Sequence, residues 1–380
     1  MKKKIIIISI ILSFFVVDAT VNYYKQESSN ELEGDGEIRA IYISYLEYLN
    51  NFYSKSKSFN QRTIDQMIDV IKENNFNTII LHVSPFSDSI YHSKLFPFST
   101  TLTGKEGKNP GFDFLEYFIN KSHNKNIKLF AWINPYRISF DSNLDSISEN
   151  NPARNFIGTT NIMIDKKGIY YNPASQMVQN LIVRQVEEII DNYNIDGIHL
   201  DDYFYIQEDI DKEEYNNYLI NHPNVSLKDF RLLNTNNLVS KIYMTIKKKN
   251  KKILFSIAPD GNINNNYIYH YADVRTWLSN YGYVDIIMPQ IYYGFENEYS
   301  PFEKTLNNWL SLVSNKDIKI VPVLAYYKLG EVDNEAGKGK NEWIDNLDII
   351  DRQINIIHQN NLNGYALFRY DYFVKLNKNS

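Results

Sequence analysis

The chain of 380 residues contains no cysteine. That absence excludes disulfides, thiolate metal sites, cysteine nucleophiles and lipid attachment through an N-terminal cysteine. It does not exclude export, because an oxidising compartment permits disulfides without requiring them, and a chain this long buries enough core to do without. A basic excess is missing too. The balance of 40 lysine and arginine residues against 45 aspartate and glutamate gives a formal net charge of -5. With no surplus positive charge to neutralise a phosphate backbone, nucleic acid is excluded as an expected partner. Neither G-x-G-x-x-G nor a P-loop follows the first β-rich run, which counts against a doubly wound nucleotide-binding sheet. There is no H-E-x-x-H or comparable spacing either, so no metal ligand is expected and no cofactor is implied.

What the chain does have is hydrophobic content of 43%, enough for a large core, and 30 tyrosines within an aromatic content of 14%. Amphipathic rings suit sugar faces, which they stack on while hydrogen-bonding at the edge. An AT-rich coding bias would raise the tyrosine count by itself, so the composition serves only as a prior.

Residues 1–19 read as an address. Lys2, Lys3 and Lys4 precede an apolar run from Ile5 to Val17, the charged-then-apolar order of a signal peptide. The run is short for a membrane span, which needs roughly 20 residues. Val17 and Ala19 fit cleavage after Ala19; Asp18 and Thr20 make that site imperfect, and an uncleaved anchor is the alternative. Residues 20–37 are polar, hold Gly34 and Gly36, and read as a linker. Either way the remainder is expected outside the cytoplasm, secreted or held at the cell surface, touching membrane only through an uncleaved N-terminal segment.

From residue 38 to 375 short β-rich runs alternate with longer amphipathic ones. Strands are expected at 38–44, 77–84, 127–133, 196–201, 252–258, 284–291, 318–325 and 363–369, with helical spacing at 61–74, 112–125, 175–193, 227–248, 301–314 and 343–360. Eight strand-helix units in one domain predict an α/β fold of the (β/α)8 TIM-barrel type with enlarged loops.

In a barrel strand, alternate residues face the helices or the barrel axis. In the fourth strand Ile198 and Leu200 must face the helices, which turns His199 and Asp201 inward, Asp201 at the C-terminal mouth. The same parity turns His82 and Ser84, Trp132 and Asn134, Ser256 and Asp260, and Met288, Gln290 and Tyr292 inward. Polar groups thus converge on the end of the barrel where such enzymes keep their sites. Plainer roles stand beside these. An aspartate after a strand, as at Asp202, commonly caps a helix or turn. Buried histidines such as His82 and His199 are more often hydrogen-bonded than metal-bound. The run Lys247 to Lys252 suits a solvated helix end.

Several motifs occur in order: Asp88-Ser89-Ile90-Tyr91, Leu102 to Asp113, Asn134-Pro135-Tyr136-Arg137, DGIHLDDYFY from Asp196 to Tyr205, and Met288-Pro289-Gln290-Ile291-Tyr292. Together they resemble the glycosyl-hydrolase-like 10 family of bacterial exported proteins over roughly residues 38–330. The resemblance implies a barrel acting on glycans outside the cytoplasm, with peptidoglycan glycan strands or a related cell-envelope polysaccharide as substrate. It suggests Asp88, Asn134, Tyr136, Arg137, Asp201, Asp202, Gln290 and Tyr292 as site residues. There are departures. Ala258-Pro259-Asp260-Gly261 stands where the family usually has Ser-Pro, Ile206 replaces a proline, and a Trp-Arg-Arg helix is reduced to Phe230-Arg231-Leu232-Leu233.

Glycoside hydrolysis commonly needs two carboxyl groups, one to protonate the leaving oxygen and one to attack or to activate water. Asp201 is the first expected catalytic residue and Asp202 the second, with Asp260 competing for that role and Asp88 behind it. Adjacent aspartates repel, which raises one pKa and holds that group protonated as an acid. His199, Tyr203, Asp260, Asn134, Tyr136, Arg137, Asp88, Gln290 and Tyr292 are expected to bind substrate. A chitinase-like mechanism, in which the substrate's N-acetyl group attacks, is the runner-up, but Tyr203 stands where its acidic glutamate belongs. The alternative function is a non-catalytic glycan-binding protein on the same scaffold.

Overall fold

In a computed structural model, residues 36–377 are described except 203 and 206–208. The leader at 1–19 and nearly all of the linker therefore lie outside the described residues, as does Tyr203. Eight parallel strands form the centre. These are β1 (Ile38–Ile43), β2 (Thr78–Ser84), β3 (Lys128–Ile133), β4 (Gly197–Leu200), β5 (Leu254–Ile257), β6 (Ile286–Ile287 and Gln290–Ile291), β7 (Lys319–Ile320 and Val323–Leu324) and β8 (Gly364–Leu367).

Two strands are broken by proline. Pro289 and Pro322 carry no N–H to donate, so the ladders of β6 and β7 are interrupted there. Pairing resumes on either side: β6 meets β5 through Ile286 and Ile287, and β7 through both of its halves. β7 then pairs with β8, and β8 with β1. The ring closes into a (β/α)8 barrel.

Each strand feeds a helix packed outside it. The helices following β1 to β4 are α1 (Lys57–Glu73), α2 (Phe114–His123), α3 (Gln176–Asn192) and α4 (Leu227–Lys249). Their starts are fixed by side chains that accept otherwise orphaned N–H groups: Ser56, Asp113, Ser175 and Ser226 each cap the N-terminus that follows. That cap is why α1 begins four residues before the expected 61. The expected helix at 343–360 is two helices, Glu342–Asp345 and Ile349–Gln359, because Asn346 leaves helical geometry between them (φ -128°, ψ 81°). Among the described residues no helix is long and apolar enough to cross a membrane.

Strand parity sorts the core in two. Ile79, Leu81, Leu129, Ile198, Leu200, Phe255 and Ile257 pack between barrel and helices. Ala40, Tyr42, Ile80, Phe130, Trp132, Leu254, Met288 and Ala366 fill the barrel itself. Gly197 marks a place where that filling is tight: a Cβ there would stand 2.6 Å from the Phe130 ring. Gly197→Ala is therefore expected to cost about 1–3 kcal/mol by overpacking. A lower urea midpoint at unchanged slope checks it; an unchanged midpoint would mean that Phe130 repacks freely.

The β3–α3 connection contains an antiparallel flap that the sequence pattern did not suggest, made of Arg137–Ser139, Ile162–Asp165 and Gly168–Tyr171. It carries Arg137 to the C-terminal mouth of the barrel.

Candidate active site

A cavity of about 330 Å³ opens at that mouth. Most strands contribute to its wall: Tyr42 from β1, His82 from β2, Trp132 from β3, and the residues just beyond strand ends, namely Asn134, Asp201, Ala258, Tyr292 and Phe368; Arg137 comes from the flap and Gln290 from β6. Asp201 is only 4% exposed. The wall around it is mostly aromatic. His82 stacks on Trp132 with centroids 3.6 Å apart, and Tyr42 meets Trp132 and Phe368 edge-on at 5.5 Å each. Tyr292 packs against Phe368 and Tyr327. Arg137 lies 4.4 Å from the centre of the Phe140 ring at the rim, a cation-π contact that holds both side chains.

Beneath the cavity runs a buried polar chain. His199 is fully buried and does not line the cavity; its Nε2 lies 3.1 Å from the Tyr42 hydroxyl and its Nδ1 2.7 Å from Ser256 Oγ. Burial pushes the imidazole down to about 3, so it is neutral. Ser256 Oγ also lies 3.4 Å from the Ile198 carbonyl oxygen. A neutral imidazole donates from one ring nitrogen and accepts at the other, so His199 links the hydroxyls of Tyr42 and Ser256. His199, expected to touch substrate, therefore does not reach the cavity; it contacts Tyr42, which lines it. Burial, and then the charges of Asp201 and Asp202, push the Tyr42 hydroxyl well above its ordinary value. His82 is held neutral as well, by burial and the nearby His199 and Arg137.

Asp202 turns toward a second group of charges. His270 Nε2 lies 3.8 Å from Asp202 Oδ2 and 3.6 Å from Asp260 Oδ2. Ligand atoms of the three residues fall within 4.8 Å of one another, close enough to surround one cation. Burial pushes Asp202 above the usual carboxylate range; the His270 cation pulls it back and Asp260 adds to the rise. Asp260 goes the other way. Its burial is outweighed by the nearby His270 imidazole and by bonds from the Asn262 N–H and the Asn265 amide, and its carboxyl is held low. His270 is also buried, yet the two carboxylates raise its imidazole above the ordinary value. Gln290 connects this group to the cavity: its amide donates to the Ala258 carbonyl at 2.8 Å and its side chain helps to lower the Asp202 carboxyl.

Of the other expected site residues, Asn134, Arg137, Gln290 and Tyr292 line the cavity, whereas Asp88 and Tyr136 do not. Asp88 lines a separate pocket of about 290 Å³ with Glu106 and Phe86, and Phe140 stands in the lining of both cavities. Asp88 Oδ1 accepts the Phe86 N–H at 3.1 Å, and burial raises its carboxyl to about 7. Tyr136 is buried in the outer core with its hydroxyl unpaired, away from the cavity wall. Asn134 lines the cavity, accepting from Trp132 Nε1 at 3.1 Å. Sequence reasoning missed Tyr42, Phe368 and His270. Parity applied to the first and eighth strands would have turned Tyr42 and Phe368 inward beside Ala40 and Ala366. No local signal marks His270, which ends a π-helical turn (Asn266–His270) far from any strand end.

A closed parallel barrel with carboxyl groups and aromatic rings gathered at its C-terminal mouth is a layout compatible with glycoside hydrolases. Sequence comparison agrees, matching residues 37–370 to the glycosyl hydrolase-like 10 family, and the chain belongs to that family. It is 29% identical over 376 residues to glycosyl hydrolase YngK of Bacillus subtilis (strain 168), covering 92% of this chain and 71% of that protein. It is also 29% identical over 385 residues to glycosyl hydrolase DigH of Escherichia coli (strain K12), covering 92% and 85%. The PgaB (BpsB) glycoside hydrolase domain of Bordetella bronchiseptica shares the fold, with a TM-score of 0.59 at 11% identity over 90% of this chain and 96% of that one.

Proposed function

We propose that this chain is a glycosidase acting on an extracytoplasmic glycan, peptidoglycan glycan strands or a related cell-envelope polysaccharide, through carboxyl groups at the barrel mouth. One observation carries the reading: Asp201 stands in the wall of an open cavity lined by Tyr42, Trp132, Tyr292 and Phe368. Rings of this kind bury the apolar face of a sugar, while Asn134, Arg137 and Gln290 offer hydrogen bonds to its hydroxyls. Asp202, whose carboxyl is pushed up by burial, is the group that gives its proton to the leaving glycosidic oxygen. Asp201 attacks the anomeric carbon or activates water. The Lys-then-apolar N-terminus supports export.

The test is digestion of purified sacculi, with and without their peptides, followed by separation of the products by mass. New reducing ends from one of the two substrates are expected, together with recovery of the chain outside the cytosolic fraction. Glycan that binds but remains uncut would favour the binding-protein alternative, and a cytosolic chain would withdraw the cell-envelope substrate.

A further inference from the structure

We propose that His270 is a positioning residue of this site, a cation shared between Asp260 and Asp202 that sets how tightly Asp202 holds its proton. This rests on the glycosidase reading, in which Asp202 is the acid, and adds a residue that no motif assigns. The geometry is unequal but close: one imidazole nitrogen faces Asp260 at 3.6 Å and Asp202 at 3.8 Å. At such separations a cation favours ionisation of both carboxylates, and the nearer pairing fixes where the cation rests.

The imidazole is held there by two independent restraints. Asn266 is buried and clamps the Asp260 backbone from both sides: its Oδ1 accepts the Asp260 N–H at 3.1 Å and its Nδ2 donates to the Asp260 carbonyl at 2.8 Å. Tyr271, the residue after His270, takes a left-handed conformation (φ 51°), and its hydroxyl accepts from Arg231 Nη1 at 3.0 Å. A non-glycine residue at positive φ is uncommon and persists when its surroundings hold it. Arg231 is in turn fixed by a buried pair with Asp211. The turn that presents His270 is thereby tied to both α4 and the segment after β4.

Among the described residues, the charged groups facing His270 are Asp202 from the end of β4 and Asp260 from the loop after β5. Tyr293, beyond β6, faces Asp260, and the uncharged Gln290 faces Asp202. The proton count follows. When Asp202 protonates the glycosidic oxygen it is left as a carboxylate, which the neighbouring histidinium stabilises until a proton returns from water.

Opposite charges around Asp202 predict opposite effects. Removing the cation in His270→Gln raises the Asp202 pKa, so the alkaline limb of the kcat pH profile moves up by about one unit. Removing the anion in Asp260→Asn lowers it, and the limb moves down. A general loosening of the loop would not split the two variants this way. Imidazole NMR provides a readout independent of turnover, with the His270 signal identified by its loss in His270→Gln. His270 is expected to titrate at higher pH in the wild type than in Asp260→Asn or Asp202→Asn. Limbs that move together, or a His270 titration indifferent to both aspartates, would overturn the proposal, as would activity lost to a chelator and restored by one specific divalent ion. If the wild type cuts no glycan but His270 still responds to both aspartates, the glycosidase reading fails and the proton couple stands.

Discussion

Asp201→Asn is expected to fold like the parent chain and to turn over its glycan at least about 10²-fold more slowly. Asparagine keeps the size and shape of the side chain, so the aromatic wall has no cause to rearrange. It removes the charge that a nucleophile needs and the proton exchange that a base needs. Glycan affinity should stay within a few-fold, because an amide still hydrogen-bonds from the same place. Initial rates on sacculi, set beside calorimetric binding of a purified glycan fragment, separate the two effects. A variant that hydrolyses within a few-fold of wild type would make Asp201 a binding or structural residue, and the catalytic assignment would pass to Asp202 and Asp260.

The largest loss of stability is expected at Arg231→Met. Arg231 and Asp211 form a two-pronged pair, Nε to Oδ2 at 2.9 Å and Nη2 to Oδ1 at 2.7 Å, with side-chain exposures of 4% and 0%. Methionine fills much of the space but leaves the Asp211 carboxylate buried without its partner. Breaking one side of such a pair costs about 3–5 kcal/mol. Arg231 also lies over the rings of Tyr205 and Tyr271 at 5.2 and 4.9 Å, so packing is lost along with charge. Urea unfolding reads the change. Arg231→Met with Asp211→Asn should recover a good part of it, since the stranded charge is gone. If the single variant unfolds within about 1 kcal/mol of wild type, the pair contributes only at the level of an exposed one.

The two aspartates show how far sequence reasoning reached. Period-two parity turned Asp201 inward, and Asp201 lines the cavity; it did the same for Trp132, Met288 and Gln290, because a strand buried on both faces leaves no other choice. Parity assigned His199 its side correctly but not its depth. An inward residue near the middle of a short strand is covered by the layer above it, and only those at the C-terminal end reach the opening. Tyr136 was carried by a motif of loop residues, where no period applies, and it is buried in the outer core instead. Asp88 reached a pocket of its own for the same reason.

The number and order of the strands, the faces that meet the helices and the closed barrel that follows could all be read along the chain, since they depend on local periodicity and on short-range caps such as Ser56 and Ser175. What stands beside Asp202 came from long-range packing. Asp260 and His270 lie 58 and 68 residues further along the chain, in a loop whose course is set by the Asn266 clamp and by Arg231 reaching Tyr271 from α4. Electrostatic coupling falls with distance in space and ignores separation along the chain, so the proton balance of the site could not be read before the fold brought those charges within 4 Å of His270.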